Sequence, residues 1–398
     1  MRKKERSFGP GLIIAAAFIG PGTVTVCTLA GAHHGYQLLW AVVLSIVITV
    51  VFQEMAMRLG IVTGKDLPSL IQQEIKTPVL KITVLGLVLS AIVIGNAAYE
   101  VGNISGGALG VASFLPEFAQ GWTPVLIGIC AFALLWMGNY RILEKGLIAL
   151  VGLMSLAFVV TALVTLPNIT ELLKGMFLPG IPENGLLTVL GVVGTTVVPY
   201  NLFLHTALAK TQWTNPDHLP QARKDTYVSI TIGGVISLAI VICAAAIENQ
   251  EVSSTADLGR GLEPLFGSWA RYLISLGLFA AGITSAITAP LAAAYVLTSV
   301  FGWSADLKST PFRGTWVVIL VIGVLFSSLG WKPIEVIRFA QVANGLVLPF
   351  IAIFLVWLSS QRDLLGAYAN RRLHTVLALI LVLLVLSLGG KSIWMVLI

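Results

Sequence analysis

The stretch Gly191 to Lys210, GVVGTTVVPYNLFLHTALAK, decides how this chain is read. It is apolar enough to lie in a bilayer, yet Pro199 stands in its middle, flanked by Tyr200 and Asn201, with His205 six residues on. A second stretch has the same shape: Gly11 to Ala30, GLIIAAAFIGPGTVTVCTLA, interrupted at Gly20-Pro21-Gly22-Thr23. Proline removes a backbone donor and clashes with the preceding turn, and glycine loosens the chain. Within hydrocarbon, freed backbone groups are tolerated only inside protein or along a cavity. A pair of interrupted spans at corresponding places in two halves is the pattern of a transporter's substrate site.

Composition agrees with a membrane chain. Only 11% of the 398 residues are charged and 57% are hydrophobic, against about 25% charged in soluble proteins. A span needs about 20 apolar residues. That ruler gives eleven spans, near 9–31, 37–60, 82–112, 122–139, 144–166, 185–210, 226–248, 268–300, 314–330, 336–359 and 373–396. The expected fold class is therefore all-α and polytopic. The basic N-terminus, MRKKERSFGPG, reads as the flank of the first span, not as a cleaved leader, because the apolar run outlasts a short signal segment.

With the N-terminus placed in the cytoplasm, 18 of the 24 Lys and Arg fall on the inner side, as the positive-inside rule requires. The C-terminus then lies outside. The net charge of +6 is thus a matter of topology and not of nucleic-acid binding. Aligning Pro21 with Pro199 starts five spans at each break. An odd interval inverts the second copy, giving one transporter domain over 1–398: a first repeat near 9–166, a second near 185–359 and an extra helix near 373–396.

Ionisable and polar residues inside spans are functional candidates by default. Glu54 and Glu100 are the acids, and Glu54 has an ion-pair alternative in Arg58 at i+4. Asn96, Tyr99 and Glu100 share a helix face. Gln53 and Gln341 are deep, with interhelical hydrogen bonding as the plain alternative. His205 is a candidate for proton movement, since histidine titrates near neutrality, and a bonded neutral imidazole is its alternative. Cys27, Cys130 and Cys243 read as small apolar residues, because no Cys/His cluster accompanies them. Phosphate-loop, HExxH and GxSxG motifs are absent, so neither an ATP-driven pump nor an enzyme is suggested.

At these residues the chain resembles the Nramp family of proton-coupled divalent-metal transporters. The strongest piece is TVVPYNLFLHTAL, Thr196 to Leu208, joined by the segment Met55 to Leu67. The resemblance implies a LeuT/APC-type inverted repeat with broken helices 1 and 6. It also implies a site where the family carries Asp-Pro-Gly-Asn in the first span and Met-Pro-His in the sixth. Here those positions read Gly20-Pro21-Gly22-Thr23 and Val198-Pro199-Tyr200. An anion, an amide and a soft sulfur are missing together, and a thioether helps select softer metals. The Nramp-related magnesium transporters resemble this chain in lacking those groups.

The expected cargo is thus a hydrated Mg²⁺, with Mn²⁺ as second candidate and weak or no proton coupling. A small organic solute such as an amino acid is the alternative, and a non-transporting relic a further one. The expected lining is Gly20, Thr23, Gln53, Glu54, Asn96, Glu100, Thr195, Val198, Tyr200, Asn201 and Gln341, with Thr23, Glu54 and Glu100 nearest the metal. No cofactor or obligate protein partner is implied, and the expected location is a bacterial inner membrane.

Overall fold

The computed structural model describes residues 19–138, 141–165, 168–247 and 251–397. Ordered along the chain, its main helices are α1 (Pro21–His34), α2 (Leu39–Thr63), α3 (Leu67–Glu74), α4 (Pro78–Ala112) and α5 (Thr123–Met137). They continue with α6 (Arg141–Val164), α7 (Ile169–Phe177), α8 (Leu186–Thr196), α9 (Pro199–Gln212) and α10 (Leu219–Ala245). After a short α11 (Thr255–Gly259) come α12 (Ala270–Phe301), α13 (Thr310–Ser327), α14 (Pro333–Ser359) and α15 (Arg372–Leu397). No strand occurs among the described residues.

Nine helical stretches among the described residues are long and apolar enough to cross a bilayer, and α5 is a shorter apolar helix. Ten of the eleven expected spans are therefore present as helices, with α8 and α9 forming one of them. The first is described only from Ile19, so its N-terminal half and Arg2, Lys3, Lys4 and Arg6 lie outside the described residues.

Both interruptions follow from local chemistry. Backbone at Gly20 is extended (φ −104°, ψ −175°), and Pro21 opens α1, a position where its missing N–H costs nothing. In the sixth span α8 stops at Thr196, Val197 and Val198 leave helical geometry, and Pro199 restarts the chain as α9. Val198 is extended (φ −72°, ψ 119°), as the residue before a proline is driven to be.

The bundle wraps these breaks. Helix α4, at 35 residues about 52 Å long, exceeds the hydrocarbon thickness and packs along α12, α13 and α14. Helix α1 lies on α10 and α8, and α9 lies on α2. Large apolar side chains such as Ile94, Leu163 and Phe339 face outward. Thr23, Gln53, Asn96, Glu100, Asn201, His205 and Gln341 are all buried, the inside-out distribution of a protein in lipid. Cys27 and Cys243 are buried and none of the three cysteines is in a disulfide.

Candidate functional site

Small residues let the interrupted spans and α14 meet closely. A side chain at Gly106 of α4 would run into the Pro21 ring, and one at Gly22 would run into the Gln341 amide. Gly194 of α8 lies on the Gln341 carbonyl and the Gly345 amide. The two breaks are joined directly by the Thr23 and Thr195 hydroxyls, 3.0 Å apart and fully buried. Behind them Thr49 of α2 donates to the Ser45 carbonyl at 2.7 Å and, longer, to Thr196 at 3.4 Å.

On the other side of the second break, the Tyr200 ring meets Tyr99 of α4 edge to face, with centroids 5.3 Å apart. Such pairs contribute about 0.5–1.5 kcal/mol beyond burial. The two hydroxyls are turned to one another, whereas neither the oxygen nor the nitrogen of the Asn201 amide has a hydrogen-bond partner. Gln341 Oε1, Asn344 Nδ2, His205 Nε2 and Glu100 Oε1 are likewise unpartnered. Asn201, Gln341, Asn344, His205 and Glu100 together hold six such buried side-chain atoms among the described residues. Buried polar groups are ordinarily satisfied, so these atoms have bonding capacity to spare.

The remaining candidates divide. His205 Nδ1 and Gln53 Oε1 are 2.8 Å apart, so two residues read separately in the sequence form one pair linking α9 to α2. The Asn96 amide donates to the Ala289 carbonyl at 3.0 Å, beside Pro290 of α12, and so ties α4 to α12. Glu100 is completely buried, accepts from Asn103 at 3.2 Å, and lies against Gly323 of α13. Val198 is buried in the break and offers no donor atom of its own side chain.

Glu54 does not join them. Its carboxylate takes bonds from Arg58 Nε and Nη2, both at 3.0 Å, and from Arg223 Nε at 2.9 Å. Arg58 in turn holds the Tyr368 carbonyl and Asn370 in the α14–α15 connection. Both oxygens of Glu54, expected nearest the metal, are thus engaged by two guanidiniums. Asn344 was not anticipated, although its i+3 spacing from Gln341 on one helix face was readable.

The break is thus lined by neutral oxygen and nitrogen donors, with one carboxyl at Glu100. No group of three or more His, Cys, Asp or Glu capable of holding a metal occurs among the described residues. Every break residue from Gly20 to Thr23 and from Thr195 to Asn201 is buried.

The profile of the family described as natural resistance-associated macrophage protein-like (Nramp) matches residues 11–395. The chain belongs to the Nramp family. A relative from Acidiphilium cryptum, named divalent metal cation transporter MntH, is 30% identical over 93% of this chain and 86% of its own length. The structure of the Eremococcus coleocola manganese transporter superposes with a TM-score of 0.78 at 21% identity, over 97% of this chain and 85% of that one. MhsT in complex with L-phenylalanine gives 0.61 at 15%, over 97% and 100%.

These likenesses establish the LeuT/APC-type inverted repeat as the fold. Within it, this Nramp chain places Thr23, Thr195, Tyr200, Asn201 and Gln341 around the two interruptions. Glu54 lies apart, in its arginine pair.

Proposed function

We propose that this Nramp-family protein carries a divalent metal cation across the membrane by alternating access. The names of its relatives, divalent metal cation transporter and manganese transporter, support that class of cargo. The finer reading rests on one observation: in the break segments 20–23 and 195–201 the joined Thr23 and Thr195 hydroxyls and the unsatisfied Asn201 amide stand with no carboxylate or sulfur, and Glu100 of α4 is the one carboxyl the site adds. Neutral donors supply no compensating charge for a fully dehydrated divalent ion buried among them. Mg²⁺ surrenders its waters reluctantly and is usually held through few protein ligands. The cargo of first choice is therefore Mg²⁺ with part of its water shell, and Mn²⁺, the metal named for the E. coleocola structure, is the second.

The basic excess supports a cytoplasmic N-terminus and a bacterial inner membrane. Inward movement of a doubly charged ion then gains about 4.6 kcal/mol per 100 mV, twice the unit-charge value. That suffices without a coupled proton. The His205 imidazole, bonded to Gln53, is read as a structural link. One observation favours an organic solute instead: α1 and α9 both begin at the breaks, and helix N-termini favour carboxylates.

Proteoliposomes with an internal Mg²⁺ dye and an imposed inside-negative potential test this. Mg²⁺ influx is expected, inhibited by Mn²⁺, without internal acidification, and reduced roughly tenfold or more in Thr23→Val and Asn201→Ala. Mn²⁺ uptake that Mg²⁺ neither accompanies nor inhibits would make Mn²⁺ the cargo. Uptake of an amino acid with no divalent flux would replace the metal reading.

A further inference from the structure

Beside the Glu54 ion pair, a cavity of about 490 Å³ opens between α2, α10 and α15. It belongs to the face where Arg58, Arg223 and the α14–α15 connection meet, away from the breaks. Its polar wall carries Arg58, Arg223, Arg371 and His374 against a single carboxylate, Glu54. Arg223 spends only Nε on Glu54. The side chains of Arg371 and His374, both exposed, make no ion pair among the described residues. The net charge of this wall is positive even after the internal pairing.

Much of the rest of the lining is apolar: Val50 and Val51, one turn along α2 from Glu54, and Leu377, one turn along α15 from His374. Leu373 and Val376, neighbouring positions on α15, are more than half exposed. Tyr227, about two-fifths exposed, is also part of the lining, and a ring with an apolar body and a polar tip is at home at a membrane boundary.

We propose that this cavity binds the headgroup of an anionic phospholipid, with the phosphate on Arg223, Arg371 and His374 and an acyl chain along Val50, Val51 and Leu377. Guanidiniums are suited to phosphate oxygens, and basic pockets between spans on the inner side are recognised settings for acidic headgroups. A soluble phosphate would satisfy the basic residues and leave the apolar ones without a role, so the mixed lining favours the lipid. Because Arg58 fastens Tyr368 and Asn370, immediately before Arg371, the lipid would sit on the link between α2 and the last span.

Native mass spectrometry of the delipidated full-length protein, with phosphatidylglycerol or phosphatidylcholine added at pH 7, provides the test. Phosphatidylglycerol is expected to bind roughly tenfold more tightly than phosphatidylcholine, and Arg371→Gln combined with His374→Gln to weaken it about fivefold or more. Both side chains are exposed and outside the Glu54 pairing, and an unchanged thermal midpoint confirms an intact fold. Arg372→Gln, which removes the same charge from the neighbouring position outside the cavity, is expected to bind as the parent does. Equal binding of the two lipids, no effect of the double substitution, or an equal effect of Arg372→Gln would each overturn the proposal. So would displacement of phosphatidylglycerol by equimolar inorganic phosphate, which would assign the cavity to a free anion.

Discussion

Two carboxylates that the sequence places within spans have opposite fates. Glu54 is neutralised on the spot by Arg58 and Arg223, whereas Glu100 has one amide donor and an oxygen left over. Removing one member of a buried ion pair costs ~3–5 kcal/mol because the other charge stays behind. Glu54→Gln leaves the buried Arg58 guanidinium without its carboxylate, so the thermal midpoint in detergent should fall by several degrees. Transport per folded molecule should stay within about a factor of two. An unchanged midpoint with abolished flux would instead put Glu54 on the cargo path. The sequence offered the Arg58 half of this pair by i+4 spacing but not the Arg223 half, which lies 169 residues away. The same limit hid the Gln53–His205 pair: both residues were conspicuous, but nothing local joins positions 152 apart.

At the scale of the element, the interruptions were legible because proline and glycine act through their own backbone, and α8 and α9 separate where Pro199 requires it. How closely the half-helices approach α14 was not legible, since that depends on which glycines face which backbone. Gly194 makes this measurable. A Cβ there would collide with the Gln341 carbonyl and the Gly345 amide, and main-chain atoms of a packed helix cannot turn aside as a side chain would. Overpacking of this kind typically costs ~1–3 kcal/mol or more, and it would pry α8 from α14 where Gln341 meets Gly22. Gly194→Val should therefore lower both thermal stability and flux. Gly86→Ala in α4, with nothing within 4 Å of the added carbon, should leave stability unchanged or slightly raised, by up to about 1 kcal/mol of helix propensity. Fluorescence-detected gel filtration after heating separates the two, and equal behaviour would refute the close packing.

The alternating access proposed above requires that contacts fastening the half-helix α9 to the rest be breakable, and Asp66 organises one set of them. It caps α3 and accepts from Ser69, from Lys210 at the end of α9 and from Ser299 at the end of α12. Burial pushes its carboxyl up, but the bonds from Lys210, Ser299 and Ser69 outweigh it and hold the group below the usual carboxylate range. A carboxyl depressed in the folded state contributes stability that is fully present above its unfolded value of about 3.9 and disappears as pH falls through the folded value. Asp66→Asn removes this contribution at every pH, leaving Lys210 without its partner. The thermal midpoint of the parent should exceed that of the variant by a constant amount from pH 7 to about pH 5, a difference of ~1.5–3 kcal/mol in stability for bonds to a charged group. The two curves should converge as the pH is taken below 3.9. If the connection restrains α9, amide hydrogen exchange over 206–212 will also quicken in Asp66→Asn at neutral pH, while the amides of α1 near Thr23 keep their protection. Curves that stay parallel to pH 3, or exchange that quickens throughout the bundle, would show that Asp66 supports the fold in general and does not tether this half-helix.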